Sequence, residues 1–252
     1  MGIDYSFEVY VRQHHAVDLL TAVAALCDSD QGATTVVLPG GTSVMLPGTY
    51  GYQTGRTVTL TDVVAGRDRS SFDLSLCFPQ DGPLRGYRND QIHNSVFDPA
   101  RTWPDGSTRI AMGYIYLDVY DGSALLPEHW MFGFTPATSV QSRLFLSSPS
   151  IRETFTTLAM SIAAPLCLLD VEESHKIVVT AQGRRISTRV PGPCVLWDRR
   201  APKDQAYRQL LDYLAGQPEE STAKWIAGPE HEVYQTFIDS LTHSSGMTGV
   251  HC

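Results

Sequence analysis

The residues best equipped for chemistry are concentrated between Pro79 and Thr108. Arg85, Tyr87, Arg88, Asp90, His93, Asp98, Arg101, Trp103 and Asp105 bring guanidinium, carboxylate, imidazole and indole groups into 30 residues. A carboxylate near an imidazole can exchange protons, and guanidinium and indole groups can build a recognition surface. Asp90 and His93 are therefore the candidate catalytic residues, and Arg85, Arg88, Asp90, His93 and Trp103 the candidate binding residues. The 79–108 stretch shows no sustained hydrophobic period. It reads as a long loop anchored by Tyr87, Ile92, Val96, Phe97 and Trp103, either a packed surface loop or a functional one.

Elsewhere the spacing falls short of a named chemistry. His14-His15 lies at a strand–helix junction, and neighbouring histidines pointing different ways seldom share a metal. His231-Glu232-Val233-Tyr234-Gln235 lacks the second histidine of a zinc-protease helix. Gly48, Gly51 and Gly55 before Arg56-Thr57 miss the phosphate-loop spacing, and neither G-x-G-x-x-G nor G-x-S-x-G occurs. Asp118 and Asp121 could hold Mg²⁺, but Asp121-Gly122 reads more naturally as a tight bend. Arg184-Arg185 with Arg189 could clamp an anion, although a hairpin tip favours plain solvation. Cys27, Cys77, Cys167, Cys194 and Cys252 are far apart, form no C-x-x-C pair and sit mostly among apolar neighbours. Buried reduced thiols are expected, which suits a reducing compartment. No metal and no cofactor is predicted.

These groups need elements to hold them. Tyr5, Phe7, Val9 and Val11 alternate with polar neighbours, the period of a strand buried on one face. Val17, Leu20, Val23 and Cys27 recur at helical spacing, so a helix over about 15–27 follows. Thr34 to Leu38 and Ser43 to Leu46 flank Pro39-Gly40-Gly41 as a hairpin. Strands are expected at Arg56–Leu60, Phe72–Phe78, Arg109–Val119 and Trp130–Phe134. The second half shows a similar order. A short strand is expected at Val140–Leu146, a helix opened by a Ser150–Glu153 capping box, a buried strand at Leu166–Leu169 and a hairpin over Ile177–Thr188. The two hairpins superimpose at an offset of 142 residues. Two helices with faces Tyr207–Leu214 and Val233–Leu241 follow. The predicted fold is α+β: two tandem strand–helix–hairpin modules forming a largely antiparallel sheet, plus two C-terminal helices. The modules span 1–139 and 140–199, with a helical segment at 200–252, and an internal duplication is one explanation.

Composition narrows the function. The 252 residues are 42% hydrophobic and 18% charged, enough for a sizeable core and too apolar for disorder. The net charge of −8 argues against a nucleic-acid binder and a polybasic membrane-surface protein. The most apolar window, Leu158–Val171, is 14 residues, short of a membrane span. Arginine outnumbers lysine 16 to 3, a bias of GC-rich bacterial genomes. Residues 1–139 hold 15 acidic and 8 basic residues, whereas 140–252 hold 12 and 11. The acidity thus belongs to the first half, where it would draw a basic partner. The expectation is a non-enzymatic cytoplasmic interaction protein, of inhibitor or immunity type, with a protein partner. The alternative is an enzyme or small-molecule binder with a site between the modules, roofed by 79–108.

Overall fold

The computed structural model describes residues 5–28, 32–48, 55–68, 72–122, 128–162, 164, 166–170, 176–179, 185–188 and 194–196. The chain is α+β with a largely antiparallel main sheet. The alternating N-terminal segment forms β1 (Ser6–Arg12), with Phe7, Val9 and Val11 turned into the core. A 3₁₀ turn at Gln13–His15 leads to α1 (Ala16–Ala24), which buries Leu19, Leu20 and Val23. The predicted hairpin is β2 (Ala33–Val37) with β3 (Ser43–Pro47). The turn carries Gly40 and Gly41 at φ 88° and 85°, a left-handed geometry that suits glycine. β4 (Thr57–Thr59) pairs in parallel with β2, completing a three-stranded sheet, and runs into α2 (Leu60–Val64).

The main sheet has β1 near its centre. It pairs antiparallel with β8 (His129–Pro136) on one side and β9 (Leu166–Asp170) on the other. Outward from β8 lie β7 (Thr108–Asp121) and then β5 (Phe72–Pro79). Outward from β9 lie β12 (Cys194–Leu196), β10 (Lys176–Val179) and β11 (Arg185–Thr188). The sheet is therefore continuous across residue 139, the expected module boundary.

Both hairpins take the register that their superposition requires. Val36 pairs with Val44, and Val178 with Ile186. Each first strand then accepts a later strand in parallel, β4 on β2 and β12 on β10. What precedes them differs: β1 then α1 in one case, a helix then β9 in the other.

Two expectations are corrected. Val140–Leu146 is not a strand but lies in α4 (Ser139–Ser147), with the Thr138 side chain capping it by accepting from the Gln141 amide. The period-2 apolar positions misled because Val140 is exposed and Phe145 buried, the reverse of what that alternation implies. The 79–108 stretch is not a loop either. It contains the 14-residue α3 (Gly82–Ser95) and β6 (Ala100–Thr102), which pairs with β7. α3 buries Leu84 alone, so it carries no apolar stripe to read. Its signal was the N-terminus: Asp81 caps, and Pro83 follows in the first turn.

α5 (Pro149–Ser161) begins earlier than the Ser150–Glu153 box implied. Ser148 Oγ accepts from the Ile151 amide at 3.2 Å with Pro149 following it, so Ser148 is the cap. Asp81 ties α5 to α3. Its carboxylate accepts from the Leu84 amide at 2.9 Å, Ser148 Oγ at 2.6 Å and both the amide and hydroxyl of Ser150 at 3.1 and 3.0 Å.

The core lies between the sheet and α1, α4 and α5. Phe155 is at its middle, with ring centroids 4.3 Å from Phe7, 5.1 Å from Phe134, 5.5 Å from Phe145 and 6.1 Å from Phe78. The two helices expected beyond residue 200 lie outside the described residues, as do the His231 segment, Arg184 and the C-terminal cysteine.

Candidate functional site

The sequence-predicted site residues are not brought together. Asp90 and His93 are exposed on α3, one turn apart, and neither lines a described cavity. Arg85 is exposed on the same helix. Arg88 is engaged by Asp98 through two hydrogen bonds, Nε to Oδ1 at 2.8 Å and Nη2 to Oδ2 at 2.6 Å. The guanidinium holds the Asp98 carboxyl below its ordinary value, and the carboxylate raises Arg88 in return. Trp103 is half-buried, and the Arg109 guanidinium lies 4.4 Å above its ring. Arg101 bonds Asp28 at 2.9 Å. The 79–108 segment is thus laced to itself and to its neighbours, with its acid and base candidates in solvent.

Other candidates separate in similar ways. Asp118 and Asp121 stand three apart on one continuous strand, which turns their side chains to opposite faces. His14 and His15 do not point apart as expected, since their rings meet at a tilt with centroids 4.3 Å apart and His15 Nδ1 lies 3.0 Å from Asp18 Oδ2. Cys27, Cys77 and Cys167 are free and buried, and burial pushes each thiol up to about 12. They are poor nucleophiles at neutral pH. Among the described residues no three metal-ligating side chains converge, and no helix is long and apolar enough to cross a membrane.

A different set does converge, on the face of the main sheet turned away from α1, α4 and α5. Along β7 the buried Ile115, Leu117 and Val119 alternate with Tyr116, Asp118 and Tyr120. Tyr116 is 37% exposed and Tyr120 53%. In register with Asp118 stands Gly133 of β8, and in register with Gly133 stands Glu8 of β1. Two carboxylates therefore flank a residue without a side chain, on strands about 9–10 Å apart. A Cβ at Gly133 would meet only Met131 Sδ at 3.5 Å and Asp118 O at 4.0 Å, so the backbone does not demand glycine there. Gly133 and Tyr10 are themselves buried, so the accessible part of this face is its Tyr116–Asp118–Tyr120 edge. One row along, Tyr10, Met131 and Tyr120 are aligned in register, and the Tyr10 hydroxyl donates to Glu8 Oε2 at 3.3 Å.

Burial raises the Asp118 carboxyl above its ordinary value, and burial with Asp118 nearby raises Tyr120. A carboxylate so placed gains from an approaching cation. The β7 alternation carried the sequence signal for this face. The Glu8–Gly133–Asp118 row could not be read, because it joins three strands whose register is fixed only in the folded sheet.

The chain matches no protein-family model, no curated protein and no solved structure. The reading of function therefore rests on geometry alone.

Proposed function

We propose that this is a non-enzymatic cytoplasmic interaction protein, of inhibitor or immunity type, that receives a basic protein partner on the outer face of its main sheet. The observation that carries the reading is the Tyr116–Asp118–Tyr120 ladder on β7, a raised carboxyl between two exposed tyrosines. A lysine or arginine of the partner meets Asp118 at the exposed edge of this face, while Tyr116 and Tyr120 on either side supply rigid amphipathic contact area and ring faces for the cation. The acidic balance of residues 1–139 adds a field that speeds encounter with such a partner.

The test is zero-length carboxylate-to-amine cross-linking of the protein in extracts of its own source, read by peptide mass spectrometry. Cross-links from Asp118 to lysines of one stoichiometric protein are expected. They should disappear in an Asp118→Asn, Tyr120→Thr variant that melts like the parent. Capture that survives this variant, or no stoichiometric partner at all, overturns the reading.

A further inference from the structure

A second feature is independent of that face. A groove of about 450 Å³ runs along α5, closed by the end of α1 and by the ends of β5 and β7. Its lining extends from Ser150 to Ser161 on α5, about 16 Å at the helical rise.

Two opposite charges line it, Arg109 from β7 and Glu153 from α5, and they do not pair with one another. Arg109 is 18% exposed; its nearest charged neighbour is Asp105, at 3.9 Å, too far for a hydrogen bond. Its Nε is enclosed without an acceptor, so the terminal nitrogens are what a ligand would meet. The Trp103 ring beneath holds the guanidinium plane in place. Glu153 is exposed and makes no hydrogen bond or ion pair among the described residues.

The hydroxyls along the groove sharpen the ligand class. Thr154 Oγ1 donates to Ser150 O at 2.7 Å and Ser161 Oγ to Leu158 O at 2.8 Å, while the Thr157 hydroxyl makes no hydrogen bond among the described residues and can donate or accept. Ser150 Oγ spends its hydrogen on Pro79 O or Asp81. With their hydrogens committed to the protein, the Ser150, Thr154 and Ser161 hydroxyls offer lone pairs to the groove. A phosphate, which brings only acceptors at neutral pH apart from one hydroxyl, would face those lone pairs and Glu153. A peptide brings N–H donors along its length, a carboxylate at one end and an ammonium at the other. Leu26 and Leu158 provide apolar wall for its side chains.

We infer that this groove binds a short peptide by its two termini, its carboxylate on Arg109 and its ammonium on Glu153. Isothermal titration of the intact protein with Leu-Leu, Leu-Ala-Leu and Leu-Ala-Ala-Leu tests it, each free, N-acetylated or C-amidated, with inorganic phosphate as the competing ligand class. At least one length should bind, and blocking either end should weaken it by about ten-fold, the loss of one charge-assisted contact. In Glu153→Gln the acetylated and free peptides should bind alike. In Arg109→Gln the amidated and free ones should bind alike. Because Glu153 is exposed and the blocked peptides act on the unaltered protein, the test does not depend on the Arg109 variant folding. No binding of any length at millimolar concentration, indifference to both blocking groups, or phosphate binding more tightly than every peptide overturns the inference.

Discussion

The two faces of the main sheet use aromatic residues to opposite ends. Against the inner face Phe7, Phe78 and Phe134 of the sheet meet Phe145 of α4 and Phe155 of α5, with no polar atom and no solvent exposure to speak of. They interlock in tilted and stacked pairs that fix where the helices sit. On the outer face the aromatics are Tyr10, Tyr116 and Tyr120, each carrying a hydroxyl and standing near a carboxylate. One face secures the fold, while the exposed Tyr116 and Tyr120 of the other are available for recognition. An aromatic count alone does not separate these uses; the partner atoms do.

If the division holds, the largest stability effect belongs inside. Phe155→Ala removes the ring at the centre of the cluster and should cost about 3–5 kcal/mol, measured by urea unfolding. Gly122→Ala comes next. The β7–β8 bend brings His129 O within 2.9 Å and the Tyr10 ring within 3.1 Å of the added Cβ, so the loss should be about 1–3 kcal/mol. There glycine is required by close approach, unlike at Gly133.

Asp81 and Asp118 should part company in acid. Burial alone would raise Asp81, but hydrogen bonds from Ser148, Leu84 and Ser150 outweigh it and hold the carboxyl below its ordinary value. Its stabilisation is present above the unfolded-state value near 3.9 and is lost as pH falls through the lower folded value. Asp118 has the opposite sign: its raised value favours the folded state when protonated, and that contribution is lost as pH rises through it. Asp81→Asn should therefore flatten the acid limb of the stability–pH curve, whereas Asp118→Asn should relieve a cost near neutrality. NMR titration of the two carboxyl carbons would show the split directly, and a shift of Asp81 upward would contradict it.

The smallest stability effects belong outside. Tyr116→Thr with Tyr120→Thr keeps strand propensity and should change stability by no more than about 0.5 kcal/mol while abolishing partner capture. A large loss of stability there would erase the contrast between the faces. Arg88→Ala breaks an exposed pair and should leave the thermal melt unchanged.

What could be read beforehand follows from the same physics. β1, α1, the β2–β3 hairpin and the long β7 were legible because one buried face imposes a period on each. α3 was not, since only Leu84 is buried and the helix is defined by its Asp81 cap rather than by a stripe. α4 was read as a strand because Val140, Ser142, Leu144 and Leu146 alternate, although Val140 is exposed and Phe145 is not. The chemistry-bearing residues of 79–108 were visible as types. Their pairings, Arg88 with Asp98, Arg101 with Asp28 and Arg109 over Trp103, depend on which strands become neighbours. Composition cannot supply that.

The position of β1 has a consequence for how the chain is made. Val9 pairs with Phe132 on one side and Cys167 on the other, so an early-synthesised strand lies between two late ones. At about 5–20 residues per second, roughly ten to thirty seconds of synthesis separate β1 from its second partner. Both edges of the apolar strand Phe7-Glu8-Val9-Tyr10-Val11 are open until β8 is made, and one stays open until β9 follows. The protein's period of greatest vulnerability to aggregation therefore falls on the ribosome, before the sheet can close around its own beginning.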